Sequence, residues 1–150
     1  MANVLFIQSQ KYIPNTNVAP RWKAKEALEL CNAVIEKFSN SKAAIKCKNL
    51  KQNILNESLQ IKTENYIPNQ KYSKVLVTYK NIPNLKFKVL KITEKQLNQL
   101  NNVYSKEEQL KVINKLTEYS SGSETLKDEK DYQLHSSEIK IPKLENGRYL

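Results

Sequence analysis

The hydrophobic pattern of this chain changes period once, near residue 57, and that change constrains the fold more than any other feature. From Arg21 to Phe38 the apolar positions Ala24, Ala27/Leu28, Cys31, Val34/Ile35 and Phe38 recur every three to four residues, the mark of an amphipathic helix. Ser39-Asn40-Ser41 interrupts the run and supplies an N-cap. Ala43/Ala44, Cys47, Leu50 and Ile54 then repeat the same period. Two amphipathic helices joined this tightly predict an antiparallel hairpin. Upstream, Val4 to Gln10 reads as a helix tail, Pro14 to Asn17 as a loop, and Pro20 as a first-turn residue of the following helix.

Beyond residue 57 the period is two. Leu59, Ile61 and Thr63 alternate with Gln60 and Lys62. Val75, Val77 and Tyr79 alternate with Leu76 and Thr78, which suits burial on both faces. Leu85, Phe87 and Val89 alternate with Lys86 and Lys88, a half-exposed strand. Pro68-Asn69 and Pro83-Asn84 punctuate these runs as turns. Regular short strands with short turns predict an antiparallel sheet of the sandwich type. Residues 94–127 read as a helical insertion. Thr93 with Gln96 and Ser105 with Glu108 match capping-box spacing, and Ser120-Ser121-Gly122-Ser123 reads as a flexible tip. Strands resume at Tyr132–Leu134 and Glu138–Ile141. The expected fold is α+β, with a helical segment over 1–57 and an antiparallel β-sandwich over 58–150 that carries the insertion. The pentapeptides Lys11–Asn15 and Asn65–Asn69 are near-identical, but they fall in different contexts and read as coincidence.

The ends qualify this picture. Val4-Leu5-Phe6-Ile7 has no basic flank and no small-residue cleavage site after it, so it is not a secretory signal. Asn146-Gly147 is a turn followed by a strand stub, which leads us to expect an excerpt from a longer protein, with any localisation signal outside it.

Charge narrows the partners. The chain of 150 residues carries 25 basic and 15 acidic side chains, a net charge of +10. Arg21 and Arg148 are its two arginines, and the rest of the basic residues are Lys. Arginine suits bidentate phosphate and base contacts, whereas lysine is a solvated point charge. The excess is also spread over both halves, and the Lys-rich stretch from Lys71 to Lys95 alternates with strand hydrophobes. No nucleic-acid partner is expected. Acid clusters such as Glu107-Glu108 and Asp128-Glu129-Asp131 read as solvated surface, the latter lacking calcium-loop spacing.

Chemistry is sparse. With one His and two Cys, the chain cannot close a four-ligand zinc site by itself. Two glycines 25 residues apart cannot build a phosphate loop. His135, Ser136, Ser137 and Glu138 suggest a nucleophile set, yet neighbours on one strand point to opposite faces. No catalytic, cofactor-binding or metal-binding residue is expected, and no enzyme. Cys31 and Cys47 lie eight residues either side of Ser39 and should face each other across the hairpin. Two readings stay open, an inter-helix disulfide or a pair of buried free thiols. Trp22, at the start of the first long helix, is expected to plug the junction with the preceding helix; an exposed Trp22 would mark a partner contact instead.

The order of these pieces resembles the N-terminal region of large bacterial alpha-2-macroglobulin-like proteins. The helical signature is Arg21-Trp22-Lys23, then Glu26-Ala27-Leu28-Glu29-Leu30-Cys31, Ile35-Glu36-Lys37-Phe38-Ser39-Asn40-Ser41 and Ala44-Ile45-Lys46-Cys47, with Ser39 in place of the usual Pro. The strand signature is Ser58-Leu59-Gln60-Ile61, Val77-Thr78-Tyr79-Lys80-Asn81-Ile82 and Leu85-Lys86-Phe87-Lys88-Val89. It ends in Asp131-Tyr132-Gln133, Glu138-Ile139-Lys140-Ile141-Pro142-Lys143-Leu144 and Gly147-Arg148-Tyr149-Leu150. The resemblance implies a tetratricopeptide-like hairpin running into the first macroglobulin-like domain. It implies a non-catalytic scaffold within a protease-trapping protein of the bacterial envelope, periplasmic or outer-membrane associated. Partners would be neighbouring macroglobulin domains and, through the full-length protein, target proteases. Any membrane anchor would lie outside this chain. The family's thioester motif is not present here, and the Cys pair fits an extracytoplasmic disulfide under this reading. The competing reading is a basic helical-repeat adaptor for a protein or an anionic polymer such as nucleic acid.

Overall fold

Ala24, Ala27, Leu28 and Cys31 form a single stripe of buried residues on one helix, the outcome that three-to-four spacing dictates. In a computed structural model of the chain, which describes residues 1–64, 66–68 and 70–150, this helix is α2 (Lys23–Lys37), between α1 (Ala2–Ser9) and α3 (Lys42–Leu55). Ser41 caps α3, its Oγ accepting from the Ala44 N–H at 3.1 Å. Pro20 lies one turn earlier than expected. Its carbonyl accepts from the Lys23 N–H in a turn that leads into α2, and Trp22 is the N-cap. Farther along α2 the apolar stripe leaves the core, and Phe38 is exposed.

The remaining elements are β1 (Ser58–Lys62), β2 (Ser73–Lys80), β3 (Asn84–Ile92), α4 (Glu94–Asn101), α5 (Lys106–Ile113), β4 (Thr117–Thr125), β5 (His135–Ile141) and β6 (Arg148–Tyr149). The chain is α+β, with five helices and two small antiparallel sheets among the described residues. One sheet has the order β1-β2-β5 and the other β4-β3-β6. The Pro68-Asn69 turn and the second copy of the pentapeptide include Asn65 and Asn69, which lie outside the described residues.

Two compact units emerge. One comprises Met1–Ile61, Val77–Pro83 and Leu126–Ser137. Its core is Ala27, Leu28, Cys31, Leu50 and Ile54, with Leu5, Phe6, Cys47 and Tyr132 packed against it. Full burial of a residue such as Ile54 contributes about 1.5–3 kcal/mol.

The other unit comprises Lys62–Leu76, Asn84–Thr125 and Glu138–Leu150. Here two expectations are corrected. The helical part of the insertion ends with α5 at Ile113, and Ser120–Ser123 is not a tip: these four residues fall on β4, which pairs antiparallel with β3 from Asn84↔Thr125 to Lys91↔Thr117. Between Val89↔Ser120 and Leu90↔Glu118 the register shifts, leaving Tyr119 as the extra residue of a bulge. Gly122 is required by its neighbour. A Cβ built there would fall 2.5 Å from Phe87 Cζ, so the bare backbone is what lets the Phe87 ring lie across the strand. The capping box of α4 is complete, with Thr93 Oγ1 accepting from the Gln96 N–H and Gln96 Oε1 accepting from the Thr93 N–H. Ser105 caps α5 by position but makes no side-chain cap bond. Strand β6 pairs with β3 at Lys91↔Tyr149 and Ile92↔Arg148.

Candidate functional site

The segment that leads into β5 departs most from expectation. Tyr132–Leu134 is not a strand. Lys130 and Tyr132 have φ of 57° and 59°, values that a strand does not adopt and that an L-residue with a side chain adopts at a cost. The Tyr132 ring packs on the helical core, which offsets that strain. The turn aims Asp131 and Gln133 inward, and the reading of Asp131 as solvated surface is thereby corrected: it is 1% exposed.

Asp131 is the centre of a polar cluster within the helical unit. Arg21 Nε donates to its Oδ2 at 2.8 Å. His135 Nε2 and the Gln133 N–H reach Oδ1 at 2.8 and 3.1 Å. A carboxylate can only accept, so His135 carries its proton on Nε2 in this contact. Arg21 extends the cluster from its Nη2, which donates to Glu129 Oε2 at 2.8 Å, and the Gln133 amide donates to the Arg21 carbonyl at 3.0 Å. Burial pushes the Asp131 carboxyl up. The bonds from His135, Arg21 and the Gln133 backbone outweigh it, so the group ends below the usual carboxylate range. The cavity lined by both Asp131 and His135 is about 10 Å³, no more than a single water occupies. The arrangement holds a charge in place.

A second clamp lies close in sequence to β2. Asn81, with φ of 58°, donates from Nδ2 to the carbonyls of Ile54 and Asn56 at 2.9 and 3.1 Å. These are orphan acceptors at the end of α3. Tyr79 Oη donates to the Lys127 carbonyl at 3.1 Å. Burial alone lowers the neighbouring Lys80 ammonium, which donates to the Asn53 carbonyl at 3.2 Å.

Of the residues singled out from sequence, Cys31 and Cys47 are brought together. Both are free thiols, Cys31 buried and Cys47 half-buried. Trp22 does not plug the helix junction. It is 44% exposed, with the Arg21 guanidinium 5.1 Å and the Lys25 ammonium 5.7 Å from its ring centroid, within cation–π range. Glu138 pairs with Lys74 at 2.6 Å, while His135 is joined, unforeseen, by Asp131 and through it by Arg21. One signal could have found them: a chain this rich in Lys uses Arg at position 21, where a planar fork reaches two carboxylates.

Among the described residues no group of three or more His, Cys, Asp or Glu is placed to hold a metal ion, and no helix is long and apolar enough to cross a membrane. No family model, curated protein or solved structure matches the chain.

Proposed function

We propose that the chain is a non-catalytic structural module of a large bacterial alpha-2-macroglobulin-like protein that traps proteases at the cell envelope. One observation carries the reading. The separate pieces of the resemblance meet in space: Arg21 from the helical signature is bonded to Asp131 and Gln133 of the strand signature, and Asn81 of that same signature closes the end of α3. The residues on which the resemblance rests thus tie helices to the ends of strands, the kind of contact a packing module needs. On this reading α2 and α3 are the tetratricopeptide-like hairpin, and the strands belong to the first macroglobulin-like sandwich. The partners are neighbouring macroglobulin domains and captured proteases, and the location is periplasmic or outer-membrane associated.

The test uses the full-length parent protein, incubated with a protease and then given either a large protein substrate or a small peptide. A trap spares the large substrate and leaves peptide cleavage intact. Equal cleavage of both substrates with and without the parent protein overturns the reading.

A further inference from the structure

Cys31 and Cys47 are the two cysteines of the chain, and they stand in different surroundings. Cys31 is 0% exposed, inside the cluster of Ala27, Leu28, Leu50 and Ile54, while Cys47 packs against that cluster from its edge. Cys47 also lines an open groove of about 660 Å³ bounded by Met1, Ala2, Leu30, Val34 and Leu50. One sulfur is therefore reached from solvent and the other only from its partner. We propose that the pair is a thiol–disulfide exchange site, in which Cys47 takes up a disulfide-bearing oxidant from the groove and Cys31 resolves it into a disulfide joining α2 to α3.

The chemistry balances with an oxidant R–S–S–R. Cys47, as thiolate, attacks one of its sulfurs; the R–S–S–R bond breaks, a Cys47–S–S–R bond forms, and RS⁻ leaves and takes up the proton that Cys47 released. Cys31 then loses its proton and attacks Cys47 Sγ. The bond to R breaks, a second RS⁻ leaves, and it takes up that proton. Two thiols lose two electrons and two protons, and the oxidant becomes two thiols.

The order of attack follows from the surroundings. Burial, then the hydrogen bond with Cys47, pushes the Cys31 thiol up to about 11, with Lys51 opposing them weakly. So protonated and enclosed a thiol is a poor first nucleophile, but attack on a neighbouring sulfur is intramolecular and needs no access from solvent. The same asymmetry governs the reverse reaction. An external reductant reaches Cys47 and must expel Cys31, and thiols of high pKa leave slowly. The resulting disulfide forms through one door and is slow to reopen. None of this depends on protease trapping, because the chemistry asks only for these two sulfurs and the groove.

The experiment treats the folded chain with oxidised glutathione, quenches with N-ethylmaleimide, and reads intact mass after denaturation. The expected result is a loss of two hydrogens with no maleimide added. Cys31→Ala should accumulate one glutathione adduct, and Cys47→Ala should stay unmodified until denatured. Circular dichroism accompanies both variants, and the wild-type result decides alone if either fails to fold. A wild-type chain that keeps two alkylatable thiols, or stops at a stable glutathione adduct, overturns the proposal. Glutathionylation of folded Cys47→Ala does the same.

Discussion

Arg21 Nε lies 2.8 Å from Asp131 Oδ2, joining residues 110 positions apart. This bond closes the helical unit around a carboxylate that solvent does not reach. Replacing Asp131 with Asn keeps the shape and removes the charge, leaving Arg21 and His135 without their common anion. Removing one partner of a buried pair is destabilising, and partial exposure of the Arg21 side chain softens the loss to about 2 kcal/mol. Urea unfolding of Asp131→Asn beside wild type measures it.

The same carboxylate predicts an acid limb. Its folded-state pKa lies below the ordinary 3.8, so its contribution is fully present above that value and is lost as pH falls through the depressed one. Glu129, held down by Lys127 and then Arg21, and Asp128, held down by Lys130, act in the same direction. Stability should fall progressively below about pH 4.5, the ordinary value from which Glu129 is lowered. The fall should be shallower in Asp131→Asn, as thermal melts across that range will read.

Gly122→Ala tests the fit of Phe87. The new methyl must displace a half-buried ring whose Cζ is 2.5 Å away, an overpacking cost of about 1–2 kcal/mol. In a Phe87→Leu background the added cost of Gly122→Ala should largely vanish, and a double-mutant cycle measures the coupling.

Helix caps give a paired comparison. Ser41→Ala removes the bond to the Ala44 N–H and should cost about 1 kcal/mol. Ser105→Ala removes no cap bond and should lie within about 0.5 kcal/mol of wild type. Equal effects in chemical denaturation would contradict the cap assignments.

Asn81 combines a left-handed backbone with two bonds to the end of α3. Asn81→Gly keeps the backbone and loses the bonds, for about 1–2 kcal/mol. Asn81→Ala adds roughly 1 kcal/mol of strain. Hydrogen exchange at the end of α3 should rise in both variants.

The helices were legible because their signal is local. The spacing of Ala24, Ala27/Leu28 and Cys31, the Ser41 cap and the Thr93/Gln96 box all lie within a few residues of what they determine. Strand β3 was legible for the same reason, in the alternation of Leu85, Phe87 and Val89 with Lys86 and Lys88. Strand β4 was not. Thr117–Thr125 is mostly polar and largely exposed on both sides, so no apolar alternation marks it. Its conformation comes from the ladder it shares with β3. Asp131 was opaque for a related reason: nothing within a few residues of it reveals a guanidinium supplied by position 21, and local polarity alone argues for solvent.

Because β4 returns to pair with β3, the stretch holding α4 and α5 hangs from a closed ladder as an appendix. Chain closure depends only logarithmically on the length enclosed, and doubling it costs about 0.6 kcal/mol. The turn between α4 and α5, at Val103 and the fully solvated Tyr104, is therefore a graft point. A peptide tag or small folded cargo inserted there should leave the β3–β4 register undisturbed.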